Sequence, residues 1–294
     1  MPMADGQRLL VKVTRESLPQ ICDKYPFLYL ERGRLEVDDS SVKWLDAEGQ
    51  VIPLPIATIN TLLLGPGTSI THEAVKTMVA ANCSVSWVGE DSLLFYAAGF
   101  LPTADTRNLK QQIKLAADGE LALQVARQMY ARRFPDAELA GKSLAAMMGM
   151  EGQRVRSLYQ QKAEHYQVGW QGRQYVPGKM ALSDITNQVL TSCNAALYGI
   201  LCSVIHSLGY SPHIGFIHSG SPLPFVYDIA DLYKEHLCID LAFAVTQELA
   251  GRYNKHIVSA RFRERALQMD LLAQAVDDVQ TLMGGGKRGR RNRQ

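Results

Sequence analysis

Gly99-Phe-Leu-Pro-Thr-Ala-Asp105 is where the pattern of this chain changes. On its N-terminal side, short apolar runs alternate with turn residues at roughly ten-residue intervals, the pattern of a β-sandwich or barrel. On its C-terminal side, apolar residues recur three and four apart, as on amphipathic helices. The chain therefore reads as α+β and multidomain. An N-terminal β-sandwich covers 1–98, a linker 99–106, an all-helical domain 107–283 and a basic tail 284–294.

Working toward the N-terminus, the strand-like runs are Phe27-Leu-Tyr-Leu30, Leu35-Glu-Val37, Val42-Lys-Trp-Leu45, Val51-Ile-Pro-Leu-Pro-Ile56, Ile59-Asn-Thr-Leu-Leu-Leu64, Val85-Ser-Trp-Val88 and Leu93-Leu-Phe-Tyr96. Pro53 and Pro55 lack the N–H a central strand needs, so that run belongs at an edge or strand end. Thr71 is placed to cap one short helix that ends near Ala81. Toward the C-terminus, one helix holds Leu109, Ile113 and Leu115, and the next holds Leu121, Val125, Met129 and Tyr130. Further helices are expected over about 139–167, 180–208, 226–250 and 256–283. Gly284-Gly-Gly286 ends the last of them.

With 294 residues, 47% hydrophobic and 20% charged, the chain has the makings of a sizeable core. The apolar stretch from Ala195 to Ile205 is too short to span a bilayer and reads as a buried helix. No secretory signal pattern opens the sequence, and a cytoplasmic setting is expected. The five cysteines are widely spaced with no CxxC pair, which indicates neither a disulfide framework nor a zinc knuckle. The net charge of +2 hides an asymmetry: Lys287, Arg288, Arg290, Arg291 and Arg293 carry five positive charges, and the remainder is −3. Nucleic-acid binding would therefore use local patches or the tail.

The densest polar cluster in an apolar context is His213-Ile-Gly-Phe-Ile-His-Ser-Gly-Ser-Pro-Leu-Pro-Phe-Val-Tyr-Asp-Ile-Ala-Asp231. A Gly- and Pro-rich loop carries His218, and a helix begins near Pro224 or Phe225. Asp228 and Asp231 lie three apart on that helix, on one face. Two carboxylates among Phe225, Val226, Ile229 and Ala230 are costly unless neutralised. A divalent metal neutralises them directly, and a mixed imidazole and carboxylate set suits Mn²⁺ or Mg²⁺ better than a structural zinc. Glu151, within Gly149-Met-Glu-Gly-Gln-Arg-Val-Arg156, is a further carboxylate beside glycines that permit close approach. Each residue alone also has a plain reading: an ordinary hydrogen-bonded histidine, a solvated pair of aspartates, a Glu–Arg helix pair.

Together, Gly149-Met-Glu-Gly-Gln-Arg-Val-Arg156 and Gly215-Phe-Ile-His-Ser-Gly-Ser-Pro-Leu-Pro-Phe-Val-Tyr-Asp-Ile-Ala-Asp231 resemble the CRISPR-associated spacer-acquisition integrase family, in its type I-E branch. Leu64-Gly-Pro-Gly-Thr68, Val85-Ser-Trp-Val-Gly-Glu90, Asp184-Ile-Thr-Asn-Gln188 and Leu197-Tyr-Gly199 extend the resemblance over about residues 25–240. It implies a metal-dependent DNA integrase and endonuclease. Such an enzyme inserts short foreign duplexes with frayed 3′ ends into a CRISPR array, by attack of DNA 3′-hydroxyls on phosphodiesters. It implies a homodimer, two of which flank a dimer of a small ferredoxin-like adaptation partner. Carried over residue by residue, the resemblance implies that Glu151, His218 and Asp231 hold Mg²⁺ or Mn²⁺, with Asp228 a further acidic residue of the catalytic site.

Lys76, Arg154, Arg156, Arg261, Arg263 and Arg265 are candidate DNA phosphate contacts. Tyr198 and Tyr227 are placed to stack on a DNA end and would equally serve as core tyrosines. The 261–265 stripe is equally a solvated helix face. Four positions depart from the family: Ser221 stands where relatives often carry lysine, Ser69 and Leu94 where they have arginines, and Arg32 where they place a tyrosine that wedges the duplex open. The competing readings are a metal-dependent nuclease on branched DNA in repair, and a non-catalytic DNA clamp.

Overall fold

The computed structural model describes residues 19–38, 41–89, 95–99, 105–174, 183–249 and 251–284. Its N-terminal part is built on β1 (Tyr25–Leu30), β2 (Gly33–Asp38), β3 (Ser41–Asp46), β4 (Val51–Pro53), β5 (Ile59–Leu64), β6 (Thr68–Ile70), β7 (Ser84–Val88) and β8 (Phe95–Gly99), with helix α1 (His72–Ala80) after β6. One sheet has the order β1-β5-β7-β8, with β1, β5 and β7 parallel and β8 antiparallel. The other has the order β4-β3-β2-β6. The Pro53 strand lies at an edge, as a residue without an N–H requires. Thr71 caps α1 by accepting from the Ala74 N–H. Residues 100–104 of the expected linker and 285–294 of the tail fall outside the described residues, as does Leu94.

Every residue of β5 is buried, because this strand is covered on both faces. Leu62 and Leu64 point into the core between the sheets, with Leu35, Val42, Trp44 and Val85. Leu63 points the other way, into a second and larger core that also takes Phe27 and Val88. That second core belongs to the helices α2 (Arg107–Ala117), α3 (Gly119–Arg133), α4 (Leu144–His165), α5 (Ile185–Ser207), α6 (Pro224–Ala230), α7 (Asp240–Glu248), α8 (Lys255–Gln268) and α9 (Leu271–Leu282). The β-rich and helical regions are thus joined by a continuous apolar face, where α5 crosses β5 and α8 lies on β1.

α5 is the axis of the helical region. By length and composition it is the one described helix fit to cross a membrane, yet 83% of its apolar window is buried inside the protein. Asp184 caps it by accepting from the Asn187 N–H. Its approach to β5 depends on Gly199, where a Cβ would come within 2.8 Å of Leu63 Cδ2.

Two expected helices are each broken in the structure. The 226–250 run divides into α6, a turn at 231–233, a π-helical turn at Glu235–Ile239 and α7. The 256–283 run divides at Asp270, whose φ of 50° is left-handed, a conformation aspartate tolerates better than most residues. Apolar periodicity continues across both breaks, so spacing alone does not reveal them. The helices expected at 139–167 and 180–208 begin later, at Leu144 after the Ser143 cap and at Ile185.

Candidate active site

Three segments meet at one place. The last turn of α3 brings Tyr130 and Arg133, the second turn of α4 brings Glu151, and the 211–223 loop with α6 brings His218, Asp228 and Asp231. Sequence reasoning named the last four. It missed Tyr130, Arg133 and Lys234, which make the ion pairs and hydrogen bonds of the site.

Asp228 is buried, and its two oxygens accept four hydrogen bonds. Oδ2 accepts from the backbone N–H of Phe216 (2.6 Å) and Ile217 (3.2 Å). Oδ1 accepts from the backbone N–H of His218 (2.9 Å) and faces His218 Nδ1 at 2.8 Å. The loop is drawn tightly onto α6, which leaves no room for a side chain at Gly215: a Cβ there would lie 2.7 Å from Pro224 Cβ and 2.9 Å from the His218 carbonyl. With both oxygens engaged, Asp228 holds the loop backbone and the His218 imidazole in place.

With Nδ1 tied to Asp228, the imidazole turns Nε2 toward Asp231 Oδ2, 3.8 Å away. The Asp228 hydrogen bond, opposed by burial and helped by the Asp231 charge, raises His218 above its ordinary pKa. Asp231 also faces Lys234 Nζ through Oδ1 at 2.8 Å. Burial alone would raise the Asp231 carboxyl, but the charges of Lys234 and Arg133 outweigh it and hold it low. Lys234 is held above its ordinary pKa for the same reason: the Asp231 charge outweighs burial.

Glu151 is held from two sides of α3: Tyr130 Oη donates to Oε2 at 2.8 Å, and Arg133 Nη1 donates to Oε1. The same Nη1 lies 3.6 Å from Asp231 Oδ2. Arg133 thereby links the two carboxylates, with its guanidinium 5.0 Å above the Phe134 ring. Neighbouring Arg132 pairs with Asp278 of α9 (3.2 Å), which also accepts from Tyr233 Oη (2.7 Å) and anchors this end of α3.

The donor set fits a hard divalent cation. Two carboxylates and an imidazole whose far nitrogen is locked by a carboxylate are oxygen- and nitrogen-type ligands of the Mg²⁺ or Mn²⁺ kind. The carboxylates already demand positive charge, which Arg133 and Lys234 supply. As the side chains stand, no three His, Cys, Asp or Glu residues among those described enclose an ion.

Tyr227 and Tyr198 line the same place. Their rings meet edge-on at 4.9 Å, Tyr227 meets His218 at 6.0 Å, and Lys234 Nζ lies 5.3 Å from the Tyr198 ring centre. Of the six basic candidates, Arg154 shares the Phe134 ring with Arg133, and the ion pairs that the six make are with other acids. Lys76 pairs with Glu73, Arg154 with Asp136, Arg261 with Glu248 and Glu264, and Arg265 with Asp240. Arg263 packs on Phe27, and Arg156 is exposed on α4. Arg32 occupies the β1–β2 turn with φ 54°.

The family model described as CRISPR associated protein Cas1 matches residues 131–266, the segment that holds Arg133 through Arg265. CRISPR-associated endonuclease Cas1 2 of Chlorobaculum tepidum is 59% identical over 277 residues, covering 94% of each chain. The chain belongs to the Cas1 family. The Cas1 endonuclease of Escherichia coli K12 is 32% identical and covers 90% of this chain and 87% of that protein. Among solved Cas1 structures, TtCas1 superposes with a TM-score of 0.80 at 33% identity over 90% of this chain and 99% of that one. The TtCas1–DNA complex superposes at 0.65, with 36% identity over 91% of this chain and all of that one. A casposase bound to integration product shares the fold, at a TM-score of 0.70 and 14% identity over 89% of this chain and 92% of that one. The mixed architecture, β-rich then helical, is that of Cas1 structures.

Proposed function

We propose that this Cas1 endonuclease is a metal-dependent integrase that inserts short DNA duplexes as new spacers into a CRISPR array. The observation that carries the reading is that Arg133 joins Glu151 to Asp231 while His218 Nε2 faces the same Asp231 oxygen. In the reaction, the 3′-oxygen of the incoming strand forms a new bond to a target phosphorus. The target's own P–O3′ bond breaks, and its 3′-oxygen leaves and takes up a proton. Mg²⁺ or Mn²⁺, held by Glu151, His218 and Asp231, would supply Lewis acidity to the phosphate oxygens and lower the pKa of the attacking hydroxyl.

The chain's own contribution is positioning and charge. Asp228 fixes the imidazole tautomer and orientation. Tyr130 fixes one oxygen of Glu151, and Lys234 one oxygen of Asp231. Tyr198 and Tyr227, whose rings flank His218 and Lys234, offer an aromatic wall for a DNA end. Lys76, Arg154, Arg156, Arg261, Arg263 and Arg265 are proposed as phosphate contacts, with Arg154 the one that shares the Phe134 ring with Arg133; the solved TtCas1–DNA complex supports DNA as the ligand. Assignment to the type I-E branch rests on the motif resemblance alone. So do the homodimer and the small ferredoxin-like partner dimer between two such dimers.

The test combines the protein, a candidate small partner, Mn²⁺ or Mg²⁺, a short duplex with frayed 3′ ends and a supercoiled repeat-bearing plasmid. Strand-transfer products are expected with wild type and lost with His218→Ala. Cleavage of branched DNA without any strand transfer would favour the repair nuclease. Equal products from His218→Ala would overturn the site.

A further inference from the structure

We infer that Arg133 is a built-in counter-cation that stands in for the divalent ion, so that metal entry and departure of its guanidinium are one exchange. This rests on the metal reading above and concerns a residue to which that reading gives no role.

The atoms divide cleanly. Of the two Glu151 oxygens, Oε2 is taken by Tyr130 and Oε1 by Arg133 Nη1. Of the two Asp231 oxygens, Oδ1 is taken by Lys234, and Oδ2 lies 3.6 Å from the same Nη1 and 3.8 Å from His218 Nε2. Oε1 and Oδ2 are the carboxylate oxygens not held by Tyr130 or Lys234, and one guanidinium nitrogen donates to the first and lies 3.6 Å from the second. A cation that takes these two oxygens and Nε2 would have to displace Nη1 from Oε1 and from its place beside Oδ2.

The arrangement also balances the charge of a pocket in which Asp231 is almost wholly buried. Two ionised carboxylates brought this close repel, and burial magnifies the repulsion. Arg133 offsets it. Its side chain is 12% exposed, packed on Phe134 beside Arg154, and its helix end is pinned by the Arg132–Asp278 pair. Because the charge is supplied by a flexible side chain on α3, the site can exchange one cation for another without unfolding the loop that carries His218.

Competition of this kind is a coupling free energy, and coupling between ligands in proteins is commonly five- to hundredfold, roughly, in affinity. Calorimetric titration of full-length protein with MnCl₂ reads it directly, with no activity assay. Arg133→Gln removes the competing charge, and its Mn²⁺ affinity is expected to rise by about tenfold or more. The metal-free variant is expected to melt lower than wild type and to gain more in melting temperature from saturating Mn²⁺. Arg133→Lys keeps a charge but not the planar fork, and a smaller rise in the same direction is expected; it carries the comparison if the glutamine variant does not fold. Wild type that binds Mn²⁺ while both substitutions leave affinity unchanged or weaker overturns the exchange and leaves the metal site standing. No binding by wild type or either variant overturns the metal reading and this inference with it.

Discussion

His218 is bracketed by the two aspartates of one helix face: Asp228 Oδ1 lies 2.8 Å from its Nδ1, and Asp231 Oδ2 lies 3.8 Å from its Nε2. The i,i+3 spacing of the pair turns both carboxylates toward the same imidazole. Their duties differ because their surroundings do. Asp228 is saturated by backbone N–H donors and the imidazole. Asp231 keeps one oxygen toward Glu151's side of the site.

That difference makes Asp228→Asn informative. An amide brings N–H donors where backbone N–H donors already point, so the loop at 216–218 must move. Chemical denaturation is expected to show a loss of about 2–4 kcal/mol. Mn²⁺ affinity is expected to fall by about ten- to hundredfold through loss of the imidazole orientation. Unaltered Mn²⁺ affinity in a folded variant would deny Asp228 its positioning role.

Gly215→Ala tests the same loop through sterics. The added Cβ meets the Pro224 ring and the His218 carbonyl at under 3 Å, and neither a proline ring nor backbone can rotate away. A cost of roughly 1–3 kcal/mol is expected, with strand transfer reduced and equilibrium DNA binding retained. Wild-type melting temperature and wild-type strand transfer together would contradict it.

Lys234→Met leaves Asp231 with Arg133 and His218 as its remaining cationic neighbours. Removing one partner of a buried pair strands the other, so a stability loss on the order of 3 kcal/mol is expected without metal. Divalent cation should recover part of it, because it neutralises the same carboxylate. Equal losses with and without saturating Mn²⁺ would show that Lys234 supports the fold independently of the site.

A pH effect arises away from the site. Burial, reinforced by the His213 charge, depresses His206 from 6.5 to about 4. The unfolded chain therefore binds this proton before the folded chain does. Stability from this group is intact above about 6.5 and falls as pH drops toward 4. The loss is on the order of 2–3 kcal/mol over that window. In His206→Gln the slope of unfolding free energy between those pH values should flatten relative to wild type; an identical slope would remove His206 from the account.

Much was legible in the residues alone. Alternation before Gly99 and three–four spacing after Asp105 correctly separated strands from helices, because each period reflects how one element buries one face. Thr71 and the Pro53 edge strand were readable for the same local reason. Glu151, His218, Asp228 and Asp231 stood out because carboxylates and an imidazole sat among glycines and apolar residues, and the order of the two motifs matched a family.

Folding decided what local patterns do not encode. Tyr130 and Arg133 reach Glu151 from 21 and 18 residues away, and nothing near them in the chain marks them as partners. Lys234 had a local trace in its i,i+3 spacing from Asp231, but such pairs are usually solvated. The breaks at 231–239 and at Asp270 are invisible to periodicity, since apolar spacing runs through them. The surroundings of each chemistry-bearing residue came from folding. Four donors surround Asp228, and one guanidinium nitrogen donates to Glu151 and lies 3.6 Å from Asp231. Sequence therefore determined which groups were present and which elements carry them, because those depend on local pattern. Tertiary structure determined their charge balance, because that depends on neighbours brought together only when α3 and α4 pack together and meet α6.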